Sequence, residues 1–69
     1  MANIYAIVKY DFYGTKYVDI LYNKNGYPSY CRTCPFDEIP KTARKWLEGK
    51  TGNLRYDKVY KRDTIIYKN

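Results

Sequence analysis

Cys31-Arg32-Thr33-Cys34 is the one stretch of this chain whose spacing carries known chemistry. Two thiols three residues apart serve either a metal or a redox couple. A structural zinc takes about four ligands, and the chain offers two cysteines and no histidine. Four sulfurs would need two copies of the chain around one metal. A redox pair needs its first thiol exposed at a helix N-terminus, where its pKa falls. Here the helical pattern begins several residues beyond Cys34. A redox or metal protein built on this pair is therefore the weakest reading. The expectation is a pair of ordinary reduced thiols at a strand end, with no metal and no cofactor.

Other catalytic constellations are equally thin. Without histidine the chain lacks the commonest general base near neutral pH. Its only serine is Ser29, and no base motif accompanies it. Asp37-Glu38 stands where a helix N-terminus uses negative charge, which explains it better than an acid/base pair. The four glycines, Gly14, Gly26, Gly49 and Gly52, fall at turn or cap positions and form no phosphate loop. The chain reads as a non-enzyme.

Binding is better supported. Thirteen Lys and Arg against seven Asp and Glu give a formal charge of +6, and ten tyrosines share the same 69 residues. Such a field attracts anions, and single-strand binders combine a positive surface with rings on which bases stack. Tyr5, Tyr10, Tyr17, Tyr30, Tyr56 and Tyr67 can supply rings from strands. The candidate contact set is Lys41, Arg44 and Lys45 on one helix face, with Tyr30, Arg55, Tyr56 and Lys58. The competing explanation is structural: tyrosine suits strands, and lysine protects exposed edges. No RNP-type, KH-type or helix-turn-helix motif is present, so recognition of DNA or RNA should rest on backbone charge and stacking.

The expected function is a small basic binding module for nucleic acid or a nucleoprotein surface. The alternative is an inhibitor or adaptor that docks on a host protein through a tyrosine-rich sheet or its edges. The richness in Lys, Asn, Ile and Tyr is what AT-rich genes encode. That composition is an association with a low-GC bacterium, its phages or a mobile element, and very short proteins of such elements are commonly binders of host components.

The elements that must position these residues are legible from pattern. Residues 4–10 are β-branched and aromatic and read as a strand. Phe12-Tyr13-Gly14-Thr15 makes a turn. In residues 16–23, Tyr17, Asp19 and Leu21 alternate with Val18, Ile20 and Tyr22, a period of two. Asn25-Gly26 is a type I′ hairpin signal. It would set Lys24 opposite Tyr27, Tyr22 opposite Ser29, Ile20 opposite Cys31 in the core, and Asp19 opposite Arg32 as an ion pair. Pro28 makes the third strand either an edge strand or one that pairs on one side there.

Residues 36–48 read as a helix, with Pro40 in its first turn. Ile39, Ala43, Trp46 and Leu47 form its apolar face, and Gly49 its cap. Trp46 is expected to anchor it. Leu54–Tyr60 and Thr64–Lys68 follow as strands, with Lys61-Arg62-Asp63 as the turn between them. The fold class is α+β, a mostly antiparallel sheet in the order βββ-α-ββ with one helix across one face. The face left open should carry the surplus tyrosines.

A chain of 69 residues makes one domain with a small core,. Its N-terminal apolar run is too short for a secretory signal, and nothing approaches the roughly 20 residues of a membrane span. A cytoplasmic protein is the default expectation, with a homodimer allowed by the thin core.

Overall fold

The computed structural model describes residues 3–24, 27–59 and 61–68, with only the backbone described for residues 24 and 27–30. It contains five strands and one α-helix in these residues: β1 (Asn3–Phe12), β2 (Thr15–Lys24), β3 (Tyr27–Pro35), a 3₁₀ turn (Phe36–Glu38), α1 (Lys41–Leu47), β4 (Asn53–Asp57) and β5 (Arg62–Lys68). All four strand pairings are antiparallel and give the order β3-β2-β1-β5-β4. The expected βββ-α-ββ order holds, and β3 lies at an edge, one of the two placements Pro28 allows. No described helix is long and apolar enough to cross a membrane.

The β1–β2 hairpin closes through two residues, because Phe12 pairs with Thr15. Tyr13 at φ +52° and Gly14 at φ +82° both lie in the left-handed region. That is the backbone of a type I′ turn, whose twist matches the flanking strands. The Asn25-Gly26 turn lies outside the described residues.

The β2–β3 register corrects part of the sequence reading. Lys24 does pair with Tyr27, but a one-residue irregularity follows, and Tyr22 then pairs with Tyr30 and not with Ser29. Every later pair shifts by one. Ile20 meets Arg32, Leu21 meets Cys31, and Asp19 meets Thr33. The expected Asp19–Arg32 ion pair and the core position of Cys31 are therefore both wrong, since a one-residue slip sends each side chain of a strand to the opposite face. The extra residue in β3 adjoins Pro28, which cannot donate to the ladder, and a bulge relieves that constraint.

The helix is shorter than its pattern. Residues 36–48 split into the 3₁₀ turn and α1, separated by Ile39 at φ −62°, ψ 135° and Pro40 at φ −59°, ψ 150°. A residue before proline is pushed out of the helical region, so Pro40 caps α1 from outside and does not sit in its first turn. Gly49 ends the helix at φ +75°, as expected. The β4–β5 turn also falls earlier than expected. Arg62 and Asp63 belong to β5. Asp57 closes the turn, accepting from the Lys61 amide at 2.7 Å through its carbonyl and from the Val59 amide at 2.8 Å through its carboxylate.

Alternation along the paired strands defines two faces. One carries Ile7, Val18 and Ile20, which are fully buried and form the core cluster with Ile39 and Ala43. Trp46, Leu47, Phe36, Tyr22 and Tyr67 pack around that cluster, so the expected apolar helix face does meet the core, with Trp46 only partly buried. Gly52 is fitted closely here. A side chain at that position would run into Ile65 and come within 2.8 Å of the Tyr67 ring. The other face carries Ala6, Val8, Asp19 and Thr64, all buried.

Candidate functional site

The Asp19 face is organised around a buried carboxylate. Asp19 is 4% exposed. Its Oδ1 accepts a hydrogen bond from the Tyr10 hydroxyl at 2.9 Å and from the Thr33 hydroxyl at 2.7 Å. Three strands are thereby tied together, with β2 supplying the acceptor and β1 and β3 the donors. A buried charge is tolerated only with such partners. Burial first, and then the bond to Asp19 and its negative charge, push the Tyr10 hydroxyl up to about 12. Tyr10 is therefore a fixed donor at neutral pH.

Rings continue from Tyr10 toward the hairpin end. Tyr10 and Tyr17 are cross-strand partners whose rings lie near-parallel, 6.4 Å apart. Phe12 meets Tyr17 edge-on at 5.9 Å and Tyr13 edge-on at 4.5 Å. The Arg62 guanidinium lies 5.8 Å from the Tyr10 ring centre and 5.3 Å from that of Phe12, and it donates to the Asp11 carbonyl. Cations over ring faces at such distances are attracted by the ring quadrupole. The register places Arg55, opposite Thr64, and Lys68, opposite Ala6, on this same face. Both are exposed, and the Lys68 ammonium stands 5.8 Å from the Tyr5 ring centre. The surface is thus a strip of four aromatic rings with cations beside it.

The sequence-derived candidates are distributed over more than one surface. Arg55 joins the strip. Tyr56, its neighbour on β4, pairs with Asp63 and belongs to the opposite face by alternation. Lys58 is exposed in the turn after β4. Lys41, Arg44 and Lys45 are exposed on α1, and the Arg44 guanidinium lies 5.9 Å from the Phe36 ring centre, a ring also covered by Lys9 at 4.1 Å. The Tyr30 side chain lies outside the described residues. Phe12, Tyr13 and Arg62 were not among the candidates, and Tyr10 and Tyr17 were named only as possible rings. Their signal was present: a two-residue turn at Tyr13-Gly14 forces Tyr10 opposite Tyr17.

A concavity of about 180 Å³ opens mainly on the core-bearing face, lined by Lys9, Tyr10, Asp11, Lys16, Leu54, Asp63 and Ile65. Its charges are mixed, and Lys16 and Asp11 pair with one another at 2.9 Å. Beside it, edge strand β4 and its turn leave Leu54 71%, Tyr56 58% and Val59 87% exposed.

The two cysteines do not form a site together. Cys31 pairs with Leu21 and Cys34 with Val18, so they point to opposite faces of β3. Three residues of extended strand separate them by about 10 Å, well beyond the Cα spacing a disulfide can bridge. Partial burial and then the Asp19 charge push the Cys31 thiol up, which disfavours a reactive thiolate. Among the described residues no cluster of three or more metal-binding side chains occurs.

Compared with known proteins, the chain matches no family model, no curated protein and no solved structure.

Proposed function

We propose that this chain is a small basic, non-enzymatic module that binds nucleic acid through the Asp19 face, with α1 set across the opposite face and leaving this one open. The observation that carries the reading is the convergence of Tyr10, Phe12, Tyr13 and Tyr17 with Arg62, Arg55 and Lys68 on one sheet surface. The carboxylates of that face do not oppose an anion strongly. Asp19 is buried and held by two hydroxyls, and Asp57 is engaged by the Val59 amide. Rings give contact area to bases of any sequence, and the cations hold phosphates.

Fluorescence anisotropy of labelled oligonucleotides across a salt series tests this. Log affinity should fall linearly with log salt, by about 0.7 per phosphate contact on a single strand. Arg55→Gln with Lys68→Gln should flatten that slope. A parent protein that binds neither DNA nor RNA at low salt would overturn the proposal.

The exposed Leu54, Tyr56 and Val59 along the β4 edge favour a second reading, docking on a host protein as a phage or mobile-element inhibitor or adaptor. Unpaired edges and exposed apolar rows are the usual grips of such contacts. Purifying the tagged protein from its host with and without nuclease separates the two. Nuclease-sensitive nucleic acid supports the first reading. A nuclease-resistant protein partner, lost on Leu54→Lys, supports the second.

A further inference from the structure

Tyr13 is the residue of the ring strip that the fold explains least. It occupies the first central position of the type I′ turn at φ +52°. Asn, Asp and Gly are favoured there, because a Cβ clashes with the carbonyl in left-handed backbone. The side chain returns almost no burial for that strain, since Tyr13 is 93% exposed. Among the described residues its one ring contact is the edge-on meeting with Phe12, itself 44% exposed. A large aromatic held in a disfavoured conformation and presented to water is a mark of a contact made with something else.

We infer that the Phe12–Tyr13 tip is a stacking site for an unpaired base, so that the Asp19 face takes single strands in preference to duplex. This rests on the nucleic-acid reading of that face and deepens it. Two observations choose the occupant. The rings run in series from Tyr13 through Phe12 and Tyr17 to Tyr10, with each neighbouring pair of centres between 4.5 and 6.4 Å apart. A row of that kind suits successive bases of one strand, whereas paired bases in a duplex offer no free ring face along their length. Arg62 lies along the row, over two of its rings, where it can meet a phosphate without leaving them.

The test compares the parent with Tyr13→Asn and Tyr13→Phe on an oligothymidylate strand, on a duplex of equal length and on vesicles of mixed neutral and anionic lipid. Tyr13→Asn should melt no lower than the parent, because asparagine suits the turn. It should bind the single strand about tenfold more weakly, the effect of losing one stacked base. Its salt slope should be unchanged, because stacking releases few ions. Tyr13→Phe keeps the ring and should keep the affinity. Single-strand binding by the parent that Tyr13→Asn leaves intact would overturn the tip while sparing the Asp19 face. An equal or tighter affinity for duplex would also overturn it. Vesicle binding without oligonucleotide binding would overturn both and assign the tip to a membrane.

Discussion

The two faces of the sheet bury side chains by opposite means. On one, Ile7, Val18 and Ile20 are sealed by Ile39 and Ala43, and among the described residues no polar side chain belongs to that buried cluster. On the other, the buried set is Ala6, Val8, Thr64 and Asp19, and its largest polar member is held by hydroxyls from two neighbouring strands. The first face is stabilised by removing apolar area from water. The second gains little from area, and its hydrogen bonds fix register and ring placement. In so small a domain the stability must come mainly from the first face, which leaves the second free to present a surface.

Truncation breaks this comparison most directly. Ile20→Ala should cost about 2–5 kcal/mol, the range for emptying a fully buried aliphatic site. That is a large part of what a domain of this size has. Chemical denaturation would show it as a fall in midpoint. A loss below about 1 kcal/mol would mean that the apolar cluster does not dominate folding.

The Asp19 network should yield a smaller and pH-dependent effect. Asp19→Asn keeps the shape and loses the charge, so the two hydroxyls that donate to Oδ1 exchange a charged acceptor for a weaker neutral one, at about 1–3 kcal/mol. The parent should also lose stability as pH rises from about 10 to about 12. Tyr10 in the fold keeps its proton up to about 12, while in the unfolded chain it releases it near the ordinary tyrosine value of about 10. Unfolding therefore releases a proton within this window, and alkaline conditions favour it. In Asp19→Asn the window should narrow from its upper end without vanishing, because burial is the largest cause of the shift. Near-ultraviolet titration of tyrosinate, with Tyr10→Phe subtracted, reads Tyr10 directly. An unchanged Tyr10 titration in Asp19→Asn would show that the network does not govern that face.

These same residues show what could be read without coordinates. The order of elements along the chain, the Val18/Ile20 face of β2 and the apolar helix positions followed from local period and turn chemistry. Those are set by neighbours in the chain. The β2–β3 register was not recoverable, because it depends on a bulge beside Pro28 that shifts the pairing by one. The error moved Cys31 and Arg32 across the sheet and replaced a hydrogen-bonded network with an ion pair. Asp19 looked like one of several strand carboxylates. Its partners lie nine and fourteen positions away in sequence, and only the assembled sheet identifies them. The ring strip was half legible, since the Tyr13-Gly14 turn fixes the pairing of Tyr10 with Tyr17. Its cation, Arg62, comes from β5, far along the chain, at a position where local pattern predicts a turn.

The smallest expected effect concerns the basic helix patch, and it sharpens the comparison by asking whether a third surface competes. Lys41, Arg44 and Lys45 stand at i, i+3 and i+4 on α1 and are exposed, so neutralising them should change stability by no more than about 0.5 kcal/mol. Replacing all three with Gln lowers the formal charge of the chain from +6 to +3. Any anion would feel that through the long-range field, but such an effect is screened beyond about 10 Å at 0.1 M salt. Direct phosphate contacts behave differently, because each one lost removes a released counterion and flattens the salt slope by about 0.7. If nucleic acid lies on the Asp19 face, the triple Gln variant should bind somewhat more weakly at low salt, match the parent near 0.1 M, and keep nearly the parental slope. Arg55→Gln with Lys68→Gln, which removes fewer charges, should flatten the slope more. The reverse ranking would place the phosphates on the helix and leave the aromatic strip with a different partner.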